Sequence, residues 1–370
     1  MPDDRPIHVT RPFLPPLAEL TPYLEEIWES RILSNAGPLH ERFEGALCDH
    51  LGVDHASLVA NGTLGLILAL RALKITGEVI TTPSSYVATS HALLWNQITP
   101  VFVDLDPDTL TIDPARIEAA LTPRTTAILP VHCYGIPCDV GAIGGLAADH
   151  GLKVIYDAAP AFGVRLRGES ILGHGDASVV SFHATKVFNT FEGGAVVCRD
   201  PATKQRVDEL RNLGLAAGAT VVSTGLNAKM SEFNAAVGLV QLRHVDALID
   251  RRRELDRLYR RLLTGCRGIR CPALPAEVTA NHAYFPILVE PDHALGRDAL
   301  LERMARHRIH ARSYFDPLIS DHPMYRDLPS ARPENLPVAR RVSRSVICLP
   351  LSPDLADATV ETIVGLIAGA

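Results

Sequence analysis

Between Val179 and Val197 the chain reads Val-Val-Ser-Phe-His-Ala-Thr-Lys-Val-Phe-Asn-Thr-Phe-Glu-Gly-Gly-Ala-Val-Val, with Lys186 at its centre. Two β-branched apolar runs, Val179 to Val180 and Ala195 to Val197, flank a polar segment and a glycine pair. That pattern predicts a loop slung between two strands. A lysine on such a loop can form a Schiff base with an aldehyde, provided that desolvation or nearby cations keep part of its amine unprotonated. For an arbitrary lysine the ordinary reading is a solvated side chain on a turn, so the neighbours decide. Upstream, Lys153-Val-Ile-Tyr-Asp157-Ala-Ala159 predicts an apolar strand that ends in a carboxylate. Open α/β sheets bind ligands at such strand ends. A carboxylate there can hold a pyridine nitrogen in its protonated form, which makes pyridoxal phosphate (PLP) an electron sink. An aspartate capping the next helix is the competing reading.

A third stretch handles anions. Asn61-Gly62-Thr63 leads directly into the apolar helix expected over Leu64 to Leu73. Free N–H groups at a helix start attract a phosphate, Gly62 allows close approach, and the Thr63 hydroxyl adds a donor. Ordinary N-capping is the alternative. The stretch has no P-loop lysine and no Gly-x-Gly-x-x-Gly spacing, which argues against a nucleoside triphosphate or a dinucleotide.

Taken in chain order, Leu33-Ser-Asn-Ala-Gly-Pro38, Asn61-Gly-Thr63, Asp157-Ala-Ala159, Ser181-Phe-His-Ala-Thr-Lys186, Glu192-Gly-Gly194 and Gly225-Leu-Asn-Ala-Lys-Met-Ser-Glu232 resemble the DegT/DnrJ/EryC1/StrS family of PLP-dependent sugar aminotransferases. The likeness runs from Pro16 to Pro350. It implies a fold-type I, aspartate aminotransferase-like α/β transferase. Residues 1–270 would form an N-terminal segment and a large lobe with a mostly parallel sheet, and residues 271–370 a smaller C-terminal α/β lobe. The resemblance implies that Lys186 carries the cofactor and shuttles the proton, while Asp157 holds the ring nitrogen. Gly62, Thr63 and Ser181 are implied cofactor contacts, Tyr86 stacks on the ring, and Asn227 reaches the phosphate of the neighbouring subunit's cofactor in a homodimer with shared active sites. Asn35, Arg312 and Tyr314 are implied substrate contacts. Two departures stand out: Pro160 replaces a His or Gln common in the family, and Lys229 replaces an arginine.

The implied reaction takes an amino group from glutamate, through the pyridoxamine phosphate form, to a nucleotide-diphosphate-linked 4-keto-6-deoxy sugar. Position 4 is favoured over position 3, on a route to surface polysaccharide or a glycosylated natural product. Some family members carry His at the lysine position and deoxygenate their substrate; Lys186 argues against that here. A keto-cyclitol aminotransferase and a non-catalytic PLP-binding regulator are the alternatives.

The elements that must position these residues are legible in outline. Helical spacing predicts helices over Leu17 to Arg31, His40 to Leu51, Val87 to Trp95, Pro114 to Leu121, Asp139 to His150, Pro201 to Gly214, Arg297 to Arg308 and within Pro353 to Ile367, with one long stretch from Ser231 to Leu263. Strands are expected at Ser57 to Ala60, Glu78 to Thr82, Pro100 to Val103, Thr126 to Val131, Tyr284 to Val289 and His310 to Phe315, with irregular chain over Pro6 to Pro16. The alternation of strand and helix implies a mostly parallel sheet covered on both faces. A chain of 370 residues, 47% of them hydrophobic, can bury a core of that size. The net charge of -6 argues against a nucleic-acid face, and Arg251-Arg-Arg253 is expected on a solvated helix face. Seven cysteines without Cys-x-x-Cys spacing indicate reduced thiols and support no metal site. No apolar run is long enough for a membrane helix and Met1-Pro-Asp-Asp-Arg5 has no leader pattern, so the expected location is the cytoplasm.

Overall fold

Continuous apolar runs, not alternating ones, supply the strands of the central sheet. Its seven strands lie in the order Ala56–Val59, Gly194–Cys198, Ala177–Ser181, Lys153–Asp157, Thr125–Leu129, Glu78–Thr81 and Thr99–Phe102. The computed structural model describes residues 5–216 and 219–369; the opening Met1 to Asp4, read above for a leader, lies outside them. Gly194–Cys198 runs antiparallel to both neighbours and the remaining pairings are parallel. Every residue of Ala177–Ser181 and Gly194–Cys198 is buried, because helices and loops cover both faces. Among those helices, Gly62–Ala72 is apolar on nearly all sides and packs on the two inner strands.

Two distant stretches meet at the start of the helix Pro38–Leu51. Glu232, nearly inaccessible, accepts from the N–H of Leu39 at 2.8 Å and of His40 at 3.0 Å. Its own N–H donates to Leu33 O at 3.0 Å. A carboxylate at a helix N-terminus satisfies two otherwise unpaired donors and meets the positive end of the dipole. The Leu33 to Pro38 turn is thereby locked to the helix Glu232–Gln241.

A three-stranded antiparallel sheet, Ile269–Arg270, Phe285–Val289 and Val346–Leu349, forms the second core with the helices Val245–Leu263, Arg297–Arg306 and Asp357–Ala368. The structure differs from the sequence expectations in several places. The long stretch from Ser231 breaks into Glu232–Gln241 and Val245–Leu263, because tight turns from Arg243 N–H to Val240 O and from His244 N–H to Gln241 O redirect the chain towards the second core. Pro114 to Leu121 forms two 3₁₀ turns instead of a helix. The helix from Pro201 stops at Arg211, and Arg297–Arg306 ends two residues early. The expected strand from His310 to Phe315 is confined to Ile309–His310, followed by turns.

That short strand pairs in parallel with Ile7–His8, inside the segment expected to be irregular. Phe13 O then accepts from Asn189 Nδ2 at 3.3 Å and Gln241 Nε2 at 3.0 Å, so the N-terminal segment straps the second core to the Lys186 loop. Arg252 does not lie on a solvated face. It is 3% exposed, donates to Leu351 O at 2.9 Å, and burial lowers its pKa to about 10.

Replacing Glu232 by Ala leaves Leu39 and His40 N–H groups buried and unpaired. The expected cost is about 2 kcal/mol, read as a drop of roughly 2–3 °C in melting temperature. An unchanged melting temperature would remove the capping role.

Candidate active site

Lys186 sits on the loop of a hairpin. Ser181 and Gly194 face each other at the ends of two antiparallel strands, and Phe182 N–H donates to Gly193 O at 2.9 Å. Within the loop, Lys186 N–H closes a turn on His183 O and Thr190 N–H returns to Phe182 O, both at 2.9 Å. Phe182 and Phe188 are fully buried, and Phe188 stacks on Phe162 with centroids 4.4 Å apart. Aromatic burial on both sides of Lys186 therefore fixes the loop, while the lysine itself stays half-buried. Ala159, Pro160, Ala283 and Tyr284 line the recess beside it. Asn281 ties the two walls of that recess together, donating to Pro160 O at 2.8 Å.

Asp157 ends its strand 4% exposed. Its main chain is fixed on both sides, donating to Pro130 O at 2.9 Å and accepting from His132 N–H at 3.0 Å. The carboxylate accepts from Thr89 Oγ1 at 2.6 Å and from Ala159 N–H at 3.1 Å, which are neutral donors. Burial raises its pKa, and the Thr89 hydroxyl, the Ala159 amide and the charge of Lys186 oppose that rise without cancelling it. Asp157 is not the cap of a following helix; its oxygens face inward.

The helix start is built as the sequence predicted, with a different reason for its glycine. Asn61 caps it, its Oδ1 accepting from Leu64 N–H at 2.9 Å, so Gly62 and Thr63 keep N–H groups with no acceptor inside the helix. A Cβ on Gly62 would stand 3.0 Å from Ser181 Cβ: the glycine admits the Lys186 hairpin itself. A Cβ on Gly194 would come within 2.7 Å of Val180 O and 3.0 Å of Gly62 N. Gly62, Ser181 and Gly194 are thus one contact. Helix donors, a lysine and a buried carboxylate held by neutral donors fit the phosphate, the aldehyde and the protonated ring nitrogen of PLP.

The remaining sequence candidates are more exposed than Asp157. Tyr86 is 68% exposed and precedes the helix Ala88–Trp95 that carries Thr89. Tyr314 packs edge-on against Tyr284 with centroids 5.8 Å apart, within electrostatic reach of both Tyr86 and Arg312. Asn35, at φ 67°, and Asn227, whose Oδ1 accepts from Lys229 Nζ at 2.6 Å, are exposed and form no described bond to Lys186 or Asp157. Sequence reasoning missed Thr89 and Tyr284. The hydroxyl-rich run Ser84 to Ser90 was the available signal for Thr89; Tyr284 gave none beyond its place at a strand start.

A lysine hairpin, a buried strand-end carboxylate and a helix start, brought together on a mostly parallel sheet, define a fold-type I PLP-dependent transferase. The sequence pattern of the DegT/DnrJ/EryC1/StrS aminotransferase family matches residues 17–368, and the chain belongs to that family. It is 49% identical over 370 residues, covering 99% of both chains, to a dTDP-4-amino-4,6-dideoxy-D-glucose transaminase of Escherichia coli. A Shigella dysenteriae transaminase of the same name is 49% identical over 364 residues, covering 98% of this chain and 99% of that one. The solved structure of DesI in the presence of its TDP-sugar product superposes with a TM-score of 0.94 at 37% identity, over 99% of this chain and 93% of that one. This chain is a PLP-dependent aminotransferase.

The raised pKa of Asp157 has a consequence for the cofactor-free protein. A group whose folded pKa exceeds its unfolded value, here 3.8, contributes stability below that value and loses it as pH rises through the folded one. Asp157→Asn is therefore expected to melt at a higher temperature than the parent at pH 7 when both are free of PLP, the gap closing towards pH 4. Equal melting temperatures at pH 7 would contradict a carboxylate dominated by burial.

Proposed function

We propose that the enzyme moves an amino group from glutamate to carbon 4 of a dTDP-linked 4-keto-6-deoxy hexose, giving a dTDP-4-amino-4,6-dideoxy sugar. The observation that carries this reading is the 49% identity, over 99% of both chains, to the Escherichia coli transaminase named for such a sugar. Carbon 4 is preferred to carbon 3 because that name puts the nitrogen there.

Bound PLP supplies an aldehyde carbon that takes up nitrogen and a ring that draws electrons from the donor's α-carbon. Lys186 Nζ would hold the aldehyde carbon and, once the donor takes its place, would move the proton from the donor's α-carbon to the carbon that carried the aldehyde. Asp157 holds the proton of the ring nitrogen through a charge-assisted bond. The N–H groups of Gly62 and Thr63, with the Thr63 and Ser181 hydroxyls, bind phosphate. Tyr86 covers the ring face. Asn35, Arg312 and Tyr314 are the proposed substrate contacts, and the guanidinium of Arg312 would offer a planar fork to the diphosphate of the sugar nucleotide.

The same reading makes the working unit a homodimer in which Asn227 reaches the phosphate held by the neighbour. Exposed Phe191 stacks on exposed Phe233, and Val221, Val222 and Leu226 are exposed on the segment that carries Asn227. Apolar surface of this kind is what a second copy covers. The N-terminal segment and the cofactor-binding lobe are assigned to residues 1–270 and the smaller lobe to residues 271–370, with the end of Val245–Leu263 and the strand Ile269–Arg270 contributed to the smaller lobe's core from the first range. A diphosphate-bearing substrate does not cross a bilayer unaided, and among the described residues no helix is long and apolar enough to span one. The enzyme is therefore assigned to the cytoplasm, on a route to surface polysaccharide or a glycosylated natural product.

Two experiments test the reading. Lys186→Ala is expected to lose the borohydride-reducible visible absorbance and about a thousandfold or more in transamination rate; a variant that kept the reducible band would refute the assignment of Lys186. Glutamate is expected to bleach the band of the parent enzyme, and a dTDP-4-keto-6-deoxy hexose to restore it. Restoration by a keto-cyclitol alone would overturn the acceptor, and no bleaching by glutamate would overturn the donor.

A further inference from the structure

Thr89 is fully buried in the helix Ala88–Trp95. Its Oγ1 lies 2.6 Å from Asp157 Oδ2, 2.8 Å from Ser85 Oγ and 3.1 Å from Tyr86 O. One hydroxyl carries one hydrogen, so these three contacts cannot all be donations from Thr89. An ionised Asp157 has only lone pairs, and Thr89 must then donate to it. Ser85 must in turn donate to Thr89, and the direction of the whole chain is set. A protonated Asp157 would supply the hydrogen itself, and Thr89 would turn towards Tyr86 O or Ser85. The order of the two hydroxyls is therefore tied to the charge of the carboxylate.

We propose that Thr89, with Ser85 behind it, is a positioning residue that keeps Asp157 in its anionic form and so determines how firmly the cofactor's ring nitrogen holds its proton. The inference rests on the reading that Asp157 faces that nitrogen. The geometry is specific: Thr89 bonds Oδ2 and Ala159 N–H bonds Oδ1, so each carboxylate oxygen is oriented by one neutral donor and retains lone pairs for the ring. The titratable groups that act on Asp157 are Lys186 from the hairpin loop and the Cys133 thiol, which follows the strand Thr125–Leu129. Both are retained when Thr89 is changed, so the difference between variants reports the hydroxyl.

The test uses PLP-loaded enzyme and follows the pH titration of the visible band of the Lys186-linked cofactor, with the rate of bleaching by glutamate as a second readout. A less cationic ring leaves the linked nitrogen more basic. Thr89→Val is expected to move the midpoint to higher pH and to slow bleaching about tenfold, the size of one hydrogen bond to a charged group. Thr89→Ser is expected to restore both, and Ser85→Ala to shift the midpoint in the same direction by less. An unmoved midpoint in Thr89→Val while Asp157→Asn moves it would overturn the relay alone. An unmoved midpoint in Asp157→Asn would overturn the relay together with the role of Asp157. Failure of Thr89→Ser to rescue would assign the effect to packing and also overturn the relay. Should Thr89→Val not retain cofactor, Ser85→Ala decides: a shift to higher pH supports the relay and no shift overturns it.

Discussion

A carboxylate buried at the end of a parallel strand, with neutral donors where a cation would normally be, is the constraint from which the rest of the site follows. Burying a charge is unfavourable unless something compensates it. At Asp157 the protein compensates in part, with the Thr89 hydroxyl, the Ala159 amide and the more distant charge of Lys186. The remainder is left for a protonated ring nitrogen. The backbone on either side has no freedom to relieve the strain on the charge, because Pro130 O and His132 N–H hold it from the adjoining strand. In the proposed function the same interaction would both bind PLP and activate it.

The second requirement is close approach. The hairpin that carries Lys186 packs directly on the helix start proposed to hold the phosphate. Ser181, Gly194 and Gly62 meet at distances that leave no room for a side chain on Gly194 and crowd one on Gly62. Three stretches that look like separate motifs in the sequence are therefore one contact. In the same way, the turn before Pro38 and the segment ending at Glu232 are joined by a single buried carboxylate. Six motifs resolve into the lysine-hairpin contact, the Asp157 strand end and the Glu232 cap.

This economy explains what could be read in advance. The sheet was legible because fully buried strands make continuous β-branched runs, and the lysine loop because polar residues and glycines interrupt two such runs. Asp157 and the helix start followed from general chemistry of strand ends and helix termini. What escaped depends on contacts that no local pattern encodes. Arg252 has a solvated sequence neighbourhood and a buried position, because Leu351, distant in sequence, supplies the carbonyl. The break after Gln241 comes from packing against two different cores, while periodicity runs on through it. Ile7–His8 forms a strand only because Ile309–His310 offers an edge. Thr89 was read as one residue of a helix; its role appears only when the helix is laid against the Asp157 strand.

The division between buried and exposed groups also separates chemistry from choice of substrate. In the proposed mechanism Lys186 anchors, Asp157 tunes and the helix start binds phosphate, and none of these roles discriminates one keto group from another. Discrimination has to come from groups that meet the acceptor before it reaches the cofactor. The groups proposed for that task are Tyr314, within electrostatic reach of Tyr86 and Arg312, and Asn35 on an exposed turn. The turn that carries Asn35 is held by Glu232 although Asn35 itself faces solvent. The Tyr314 main chain is likewise fixed, because its carbonyl accepts from the hydroxyl of buried Tyr134. In the proposed function, exchanging side chains on these supported positions would alter the acceptor without disturbing the buried carboxylate. One catalytic core can in this way serve many sugars.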